Sequence, residues 1–206
     1  MKRFRLEGAI ALLACFWFLA GAANAAVLYD NLGSLNAGTD PISSFGPLYD
    51  SFSTGASGFS LEGVHLLLDS PGATGSISVA LYQDNATSPG VSLTTIGVLN
   101  DSALASTLSV FGFALSTPYA LAPNTRYWLG VSSGDGSSAN WGWSLDQAAT
   151  GVAGEYFANQ SGVFPNSDGP YQMTLSDTAP VPVPGALLLF GPGLVGLAAI
   201  RRKFKK

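Results

Sequence analysis

Apolar and polar residues alternate through the middle of the chain. In Ser76-Ile-Ser-Val-Ala-Leu-Tyr82 the side chains of Ile77, Val79 and Leu81 fall on one face, the period of a half-buried strand. Phe59-Ser-Leu-Glu-Gly-Val-His-Leu-Leu-Leu68 begins with alternation and ends in a continuous apolar run. Arg126-Tyr-Trp-Leu-Gly-Val131 and Trp141-Gly-Trp-Ser-Leu145 are rich in the aromatic residues that strands favour. The same reading predicts strands over Ala26–Asn31, Leu48–Ser53, Leu93–Leu99, Leu108–Leu115, Glu155–Ala158 and Tyr171–Ser176. Turn chemistry separates them: Asp69-Ser-Pro-Gly, Ser88-Pro-Gly, Ala122-Pro-Asn and Ser133-Gly-Asp-Gly-Ser137. Helical periodicity is almost absent from residues 26–178. About ten short strands with Gly/Pro turns predict an all-β domain, an antiparallel β-sandwich of jelly-roll-like type.

The pattern changes at both ends. Lys2, Arg3 and Arg5 precede an apolar run from Ala9 to Ala20, and Ala23-Asn24-Ala25 supplies a small-x-small site. This predicts a helical secretory signal peptide over 1–25, with the cut after Ala25 or Ala26. At the other end Thr178–Pro184 reads TAPVPVP, and its prolines favour an extended segment. The uncharged run Gly185–Ile200 follows; as a helix of 1.5 Å rise it spans about 24 Å, short against a bilayer core of about 30 Å. Arg201, Arg202, Lys203, Lys205 and Lys206 close the chain, and the positive-inside rule keeps such a cluster cytoplasmic. The predicted organisation is thus a signal peptide (1–25), an exported β-domain (26–179) and a C-terminal signal (180–206) with its transmembrane helix at 185–200.

Charge sharpens this division. The 206-residue chain has a formal net charge of −4. Eight of its nine basic residues lie in the two tips, and twelve of its thirteen acidic residues lie in 26–180 beside Arg126 alone. The exported body therefore carries a net charge of −11 and no phosphate-binding footprint, so nucleic acid is not a partner. Cys15, the only cysteine, falls in the signal peptide. The mature domain must bury enough apolar surface without disulfides, which a body of about 150 residues can do.

The three-part tail resembles the PEP-CTERM sorting signal of Gram-negative, exopolysaccharide-producing bacteria. Pro182-Val183-Pro184 stands in the place of its Pro-Glu-Pro motif, as in Val-Pro-x-Pro variants; here the motif spans Val181-Pro182-Val183-Pro184-Gly185-Ala186. Phe190-Gly191-Pro192-Gly193-Leu194 matches the helix pattern, and the basic tail 201–206 completes it. The resemblance implies an exosortase as partner, cleaving near the motif after transient anchoring in the inner membrane, with signal peptidase and the general secretion machinery acting first. The body resembles the choice-of-anchor R domain through Tyr29-Asp-Asn-Leu32, Gly75-Ser-Ile-Ser-Val-Ala-Leu-Tyr-Gln-Asp-Asn85, Ala120-Leu-Ala-Pro-Asn-Thr-Arg-Tyr-Trp-Leu129 and Trp141-Gly-Trp143. That resemblance implies a β-sandwich displayed at the cell surface or in the extracellular matrix, with no reaction of its own.

Candidate chemistry in the body is sparse. Gly130-Val-Ser-Ser-Gly134 matches G-x-S-x-G around Ser132, but that motif needs a strand–turn–helix elbow and a later histidine. A Gly/Ser/Asp loop follows, and the single histidine, His65, comes earlier. We therefore expect no catalytic residues. One histidine and no mature cysteine exclude ordinary zinc and iron sites; no cofactor is expected. Calcium alone stays open, through oxygen ligands at Asp69, Asp84, Asn85, Asp101 and Asp135, against the reading that these form a solvated acidic surface. Trp141 and Trp143 share a strand face and are either core residues or a platform for a pyranose ring. The second functional reading is accordingly a carbohydrate- or calcium-dependent adhesin of the exopolysaccharide matrix.

Overall fold

In a computed structural model, the structure describes residues 26–177 apart from Ala73 and Asp135. The expected signal peptide with Ala23 and Ala25, and the expected sorting signal from Val181 to Lys206, lie outside the described residues. Among the described residues no helix is long and apolar enough to cross a membrane.

The domain is all-β. Its strands are β1 (Val27–Asp30), β2 (Asn36–Pro41), β3 (Leu48–Ser53), β4 (Phe59–Asp69), β5 (Ser76–Asp84), β6 (Pro89–Asn100), β7 (Ser109–Leu121), β8 (Arg126–Ser133), β9 (Asn140–Ser144), β10 (Tyr156–Asn159), β11 (Gly162–Pro165) and β12 (Met173–Ser176). One short helix, α1 (Ile42–Phe45), lies between β2 and β3. The first sheet runs β1-β12-β4-β9-β2, with β7 on the opposite edge of β4. The second runs β11-β10-β3-β8-β5-β6. All named pairings are antiparallel.

Period-2 alternation builds the core. Ile77, Val79 and Leu81 of β5 are buried as the sequence predicts, beside Leu129 and Val131 of β8. These join Leu61, Val64, Leu66 and Leu68 of β4 in one cluster shared by both sheets. Burial of each such side chain contributes about 1.5–3 kcal/mol. In β4 the register shifts between Leu61 and Gly63. The irregularity moves the buried set from Leu61 to Val64, Leu66 and Leu68, positions that strict alternation would put on the opposite face. An aromatic stack then links the layers. Trp141 of β9 lies on Tyr171, just before β12, at a centroid distance of 4.7 Å and 19°. Phe157 of β10 in the second sheet meets Tyr171 edge-on at 5.8 Å.

Ten of the strands occupy the ten predicted segments, and β2 and β11 are additional. The β2 sequence, Asn-Ala-Gly-Thr-Asp-Pro, is turn chemistry, and it is held extended by its pairing with β9. Gly38 makes that possible: a Cβ there would lie 2.6 Å from the Trp143 ring. The short β11 completes a hairpin with β10.

The outer face of the second sheet carries a smaller aromatic layer. Tyr49 and Tyr82 meet edge-to-face at 5.2 Å above Gly130. A Cβ at Gly130 would come within 2.6 Å of both rings. Gly130→Ala should therefore destabilise the domain by about 1–3 kcal/mol, as overpacking does. The check is a lower denaturant midpoint with an unchanged m value.

Candidate functional site

Arg126 is the only lysine or arginine among the described residues, and its position is tightly specified. Its Nε donates to Glu155 Oε2 at 2.9 Å, and Nη2 donates to the Gly154 carbonyl at 3.2 Å. The guanidinium lies 5.0 Å from the centroid of the Tyr156 ring. Ser51 Oγ donates to the same Glu155 oxygen at 2.5 Å and accepts from Tyr156 N at 2.8 Å. A planar fork fixed at several points in this way is oriented rather than free.

On its other side Arg126 lines an open cleft of about 510 Å³, together with Gln83 and Asp84 of β5, Leu93 of β6, Tyr119 of β7, and Asn124, Thr125 and Tyr127. Both rims are firmly built. The β7–β8 loop is pinned by Thr54: its Oγ1 donates to Ala122 O at 2.7 Å and accepts from Thr125 N at 2.9 Å. Asn124 sits there at φ 51° with its N–H on Gly55 O at 2.8 Å. The β5–β6 hairpin turns through Ala86 at φ 51° and Thr87 at φ 68°, closed by reciprocal Asn85–Ser88 backbone bonds. Positive φ at both central positions matches the twist of a tight hairpin but normally calls for glycine or asparagine, and a β-branched residue there is strained. Asp84 braces this turn, accepting from Trp128 Nε1 at 2.8 Å and from Thr87 N at 3.4 Å.

A second polar group lies inside. Asp50 occupies the core face of β3 between Leu48 and Phe52 and is fully buried. It accepts from Tyr171 N at 2.6 Å, Asn166 Nδ2 at 3.2 Å and Tyr29 Oη at 3.4 Å. Burial pushes its carboxyl well above the usual carboxylate range; the donors from Asn166, Tyr171 and Tyr29 oppose the shift, and the charge of Glu155 adds to it. Burial likewise raises the Tyr29 hydroxyl. Asn166 Oδ1 is buried without a hydrogen-bond partner. Asn166 and Glu155 also line a smaller cavity of about 170 Å³.

The structure separates the residues singled out from sequence. The Trp141–Trp143 pair is not an open sugar platform. Trp141 is 0% exposed, stacked on Tyr171, with Nε1 donating to Gln172 O at 2.9 Å. Trp143 is half-buried over Gly38 and beside Gly169. Three of the carboxylates and amides considered for calcium have places of their own among the described residues. Asp69 accepts from Asn140 Nδ2, and Asp84 is engaged as above. The buried Asp101 accepts from Ser70, Ser137 and Ser138. Asn85 lies in the β5–β6 hairpin, and Asp135 lies outside the described residues. No group of three or more His, Cys, Asp or Glu able to hold a metal occurs among the described residues. Ser132 lies within β8 opposite Ser78, with no strand–turn–helix elbow. His65 lies in the other sheet, in β4 between Thr174 and Gly112, where burial lowers its pKa and Asp30 partly offsets this.

Sequence reasoning passed over Asp50, Asn166 and the cleft. Two signals were present: a lone carboxylate among the apolar residues of Leu48–Phe52, and a single cation in an acidic body.

A raised native pKa makes stability greatest below the unfolded value, and stability is lost as pH rises through the native one. For Asp50 the loss begins near the ordinary carboxylate pKa of about 4. In Asp50→Asn the amide cannot ionise, and Asn166 can turn its free Oδ1 toward the new donor. The stability of Asp50→Asn relative to the parent should therefore increase steadily with pH above about 4. Urea unfolding at pH 4, 6 and 8 checks this; a constant difference would refute it.

Searches against protein-family models, curated proteins and solved structures return no match for this chain.

Proposed function

We propose that this chain is an exported bacterial surface protein whose body is carried, displayed and released by its two ends, and which catalyses no reaction. The signal peptide directs export through the general secretion machinery. The C-terminal helix and basic tail hold the body transiently at the inner membrane, and an exosortase cuts near Val181–Gly185. The body then reaches the cell surface or the exopolysaccharide matrix as a strongly acidic, cysteine-free domain. In this reading the domain is a jelly-roll-like sandwich. The orders β2-β9-β4-β7 and β3-β8-β5-β6 within its sheets support it, since two interleaved four-stranded layers mark that architecture.

One observation carries the proposal. Residues on either side of the folded body meet: Ala26 N donates to Asp177 Oδ1 at 2.7 Å, and Asp177 N donates to Ala26 O at 3.1 Å. Val27 pairs with Ser176 directly behind them. The domain is thus closed between the two expected cuts, and neither removes a strand. The contact also favours a cut after Ala25 over one after Ala26. The new α-ammonium of Ala26 would face the Asp177 carboxylate, an exposed ion pair of modest strength, whereas the later cut discards the donor.

Mass spectrometry of the protein from its host should therefore find Ala26 as the first residue and a C-terminus near Pro182. Replacing Pro182 and Pro184 together should leave full-length precursor in the membrane fraction. Unchanged processing of that double mutant would sink the proposal.

A further inference from the structure

We propose that the cleft beside Arg126 binds a neutral, hydroxyl-rich sugar ring within a polysaccharide. This concerns the folded body alone and does not depend on how the ends are processed. A hexose presents hydroxyls that both donate and accept, and an apolar face of C–H groups. It therefore needs a site with acceptors, donors and an apolar wall together. The cleft supplies all three: Gln83 and Asn124 offer amides that donate and accept, and Tyr119 with Leu93 offers ring and aliphatic surface. At about 510 Å³ it falls within the range of small-molecule sites, roughly 300–1,000 Å³.

Charge decides between ligand classes. Arg126 is already paired with Glu155 at 2.9 Å, Asp84 belongs to the lining, and residues 26–180 carry twelve acids against one base. A phosphate or a uronic-acid polymer would meet repulsion on approach; a neutral ring would not. Nor is this the surface of an apolar ligand, which would strand the amides and the carboxylate without water. The walls need little ordering. Thr54 and Gly55 fix the Asn124 loop, and Asp84 braces the Ala86–Thr87 turn. Non-glycine residues held at positive φ on both rims are a cost in the fold that a preformed binding wall would justify. The site is also distinct from the Trp141–Trp143 strand, which contributes nothing to the lining.

The test titrates the purified protein with cellohexaose, laminarihexaose and mannohexaose, and with polygalacturonate as the acidic probe, by calorimetry. At least one neutral oligomer should bind, and more tightly than the acidic polymer. Gln83 and Asn124 are both exposed, and glycine accepts the φ of 51° at position 124. The double variant Gln83→Ala/Asn124→Gly should therefore keep its thermal unfolding midpoint and bind about tenfold more weakly, the loss of two net hydrogen bonds. Tyr119→Ala should weaken binding further, and Trp143→Ala should leave it unchanged. Failure of every neutral oligomer to bind, preference for polygalacturonate, or wild-type affinity in the double variant would each overturn the proposal.

Discussion

A carboxylate on the core face of a strand is costly unless neighbouring groups satisfy it, and Asp50 is that group here. Its three donors come from separate parts of the chain: Tyr29 in β1, Asn166 after β11, and Tyr171 before β12. Asp50 itself belongs to the second sheet, whereas β1 and β12 belong to the first. The carboxylate thus ties the terminal strands of one layer to the middle of the other. It also places Tyr171, on which Trp141 and Phe157 pack and whose hydroxyl reaches Asp40 of β2 at 2.8 Å. A one-residue slip of β3 would turn Asp50 outward and leave Tyr171 N–H buried without its acceptor. Period-2 geometry makes such a slip all-or-none. Asp50 therefore specifies register more than it adds stability, a role known for some buried polar groups.

The same economy runs through the rest of the acidic body. With one arginine among the described residues, its carboxylates are held by neutral donors: Asp101 by serines, Asp84 by an indole, Asp69 by an amide, Asp30 by Thr174 Oγ1 at 2.6 Å. Hydrogen bonds to charged groups contribute about 1.5–3 kcal/mol each, and short-range bonds of this kind are screened by salt far less than distant surface charges. The domain can keep a large negative charge, and hence solubility, without depending on ion pairs. Arg126 and Glu155 are the exception. Their pair is braced by Ser51 and Tyr156; Arg126 lines the larger cleft and Glu155 the smaller cavity.

Sequence revealed the fold where local pattern and tertiary environment agree. Ile77, Val79 and Leu81 alternate, and all three are buried. It failed where long-range pairing overrides local chemistry. β2 reads as a turn and becomes a strand because β9 holds it and Gly38 admits the Trp143 ring. The β4 irregularity is equally silent, since Leu61 to Leu68 looks like alternation running into an apolar block. Aromatic content announced Trp141 and Trp143 but not their environment; a stripe of tryptophan is as good a core as a platform, and only packing against Tyr171 decides it. The cleft was hidden for another reason. Gln83 comes beside Tyr127 through the β5–β8 pairing, Tyr119 and Asn124 come with the chain leading into β8, and no motif spans the distance from Gln83 to them.

The topology also separates the two ends of the body from the cleft. The chain enters and leaves the body through β1 and β12, adjacent strands at one edge of the first sheet. The lining of the cleft comes from β5, β6, β7 and β8 and the loop before β8, with nothing from β1 or β12. A load or a cut at the ends acts first on the β1–β12 ladder. β12 is itself paired with β4, in the interior of its sheet, so the load passes into the core before it reaches the cleft loops. Those loops are fixed by Thr54, Gly55 and Asp84, none of which belongs to β1 or β12. On the proposed function, a body anchored by its C-terminal end and one cut free would therefore present the same cleft.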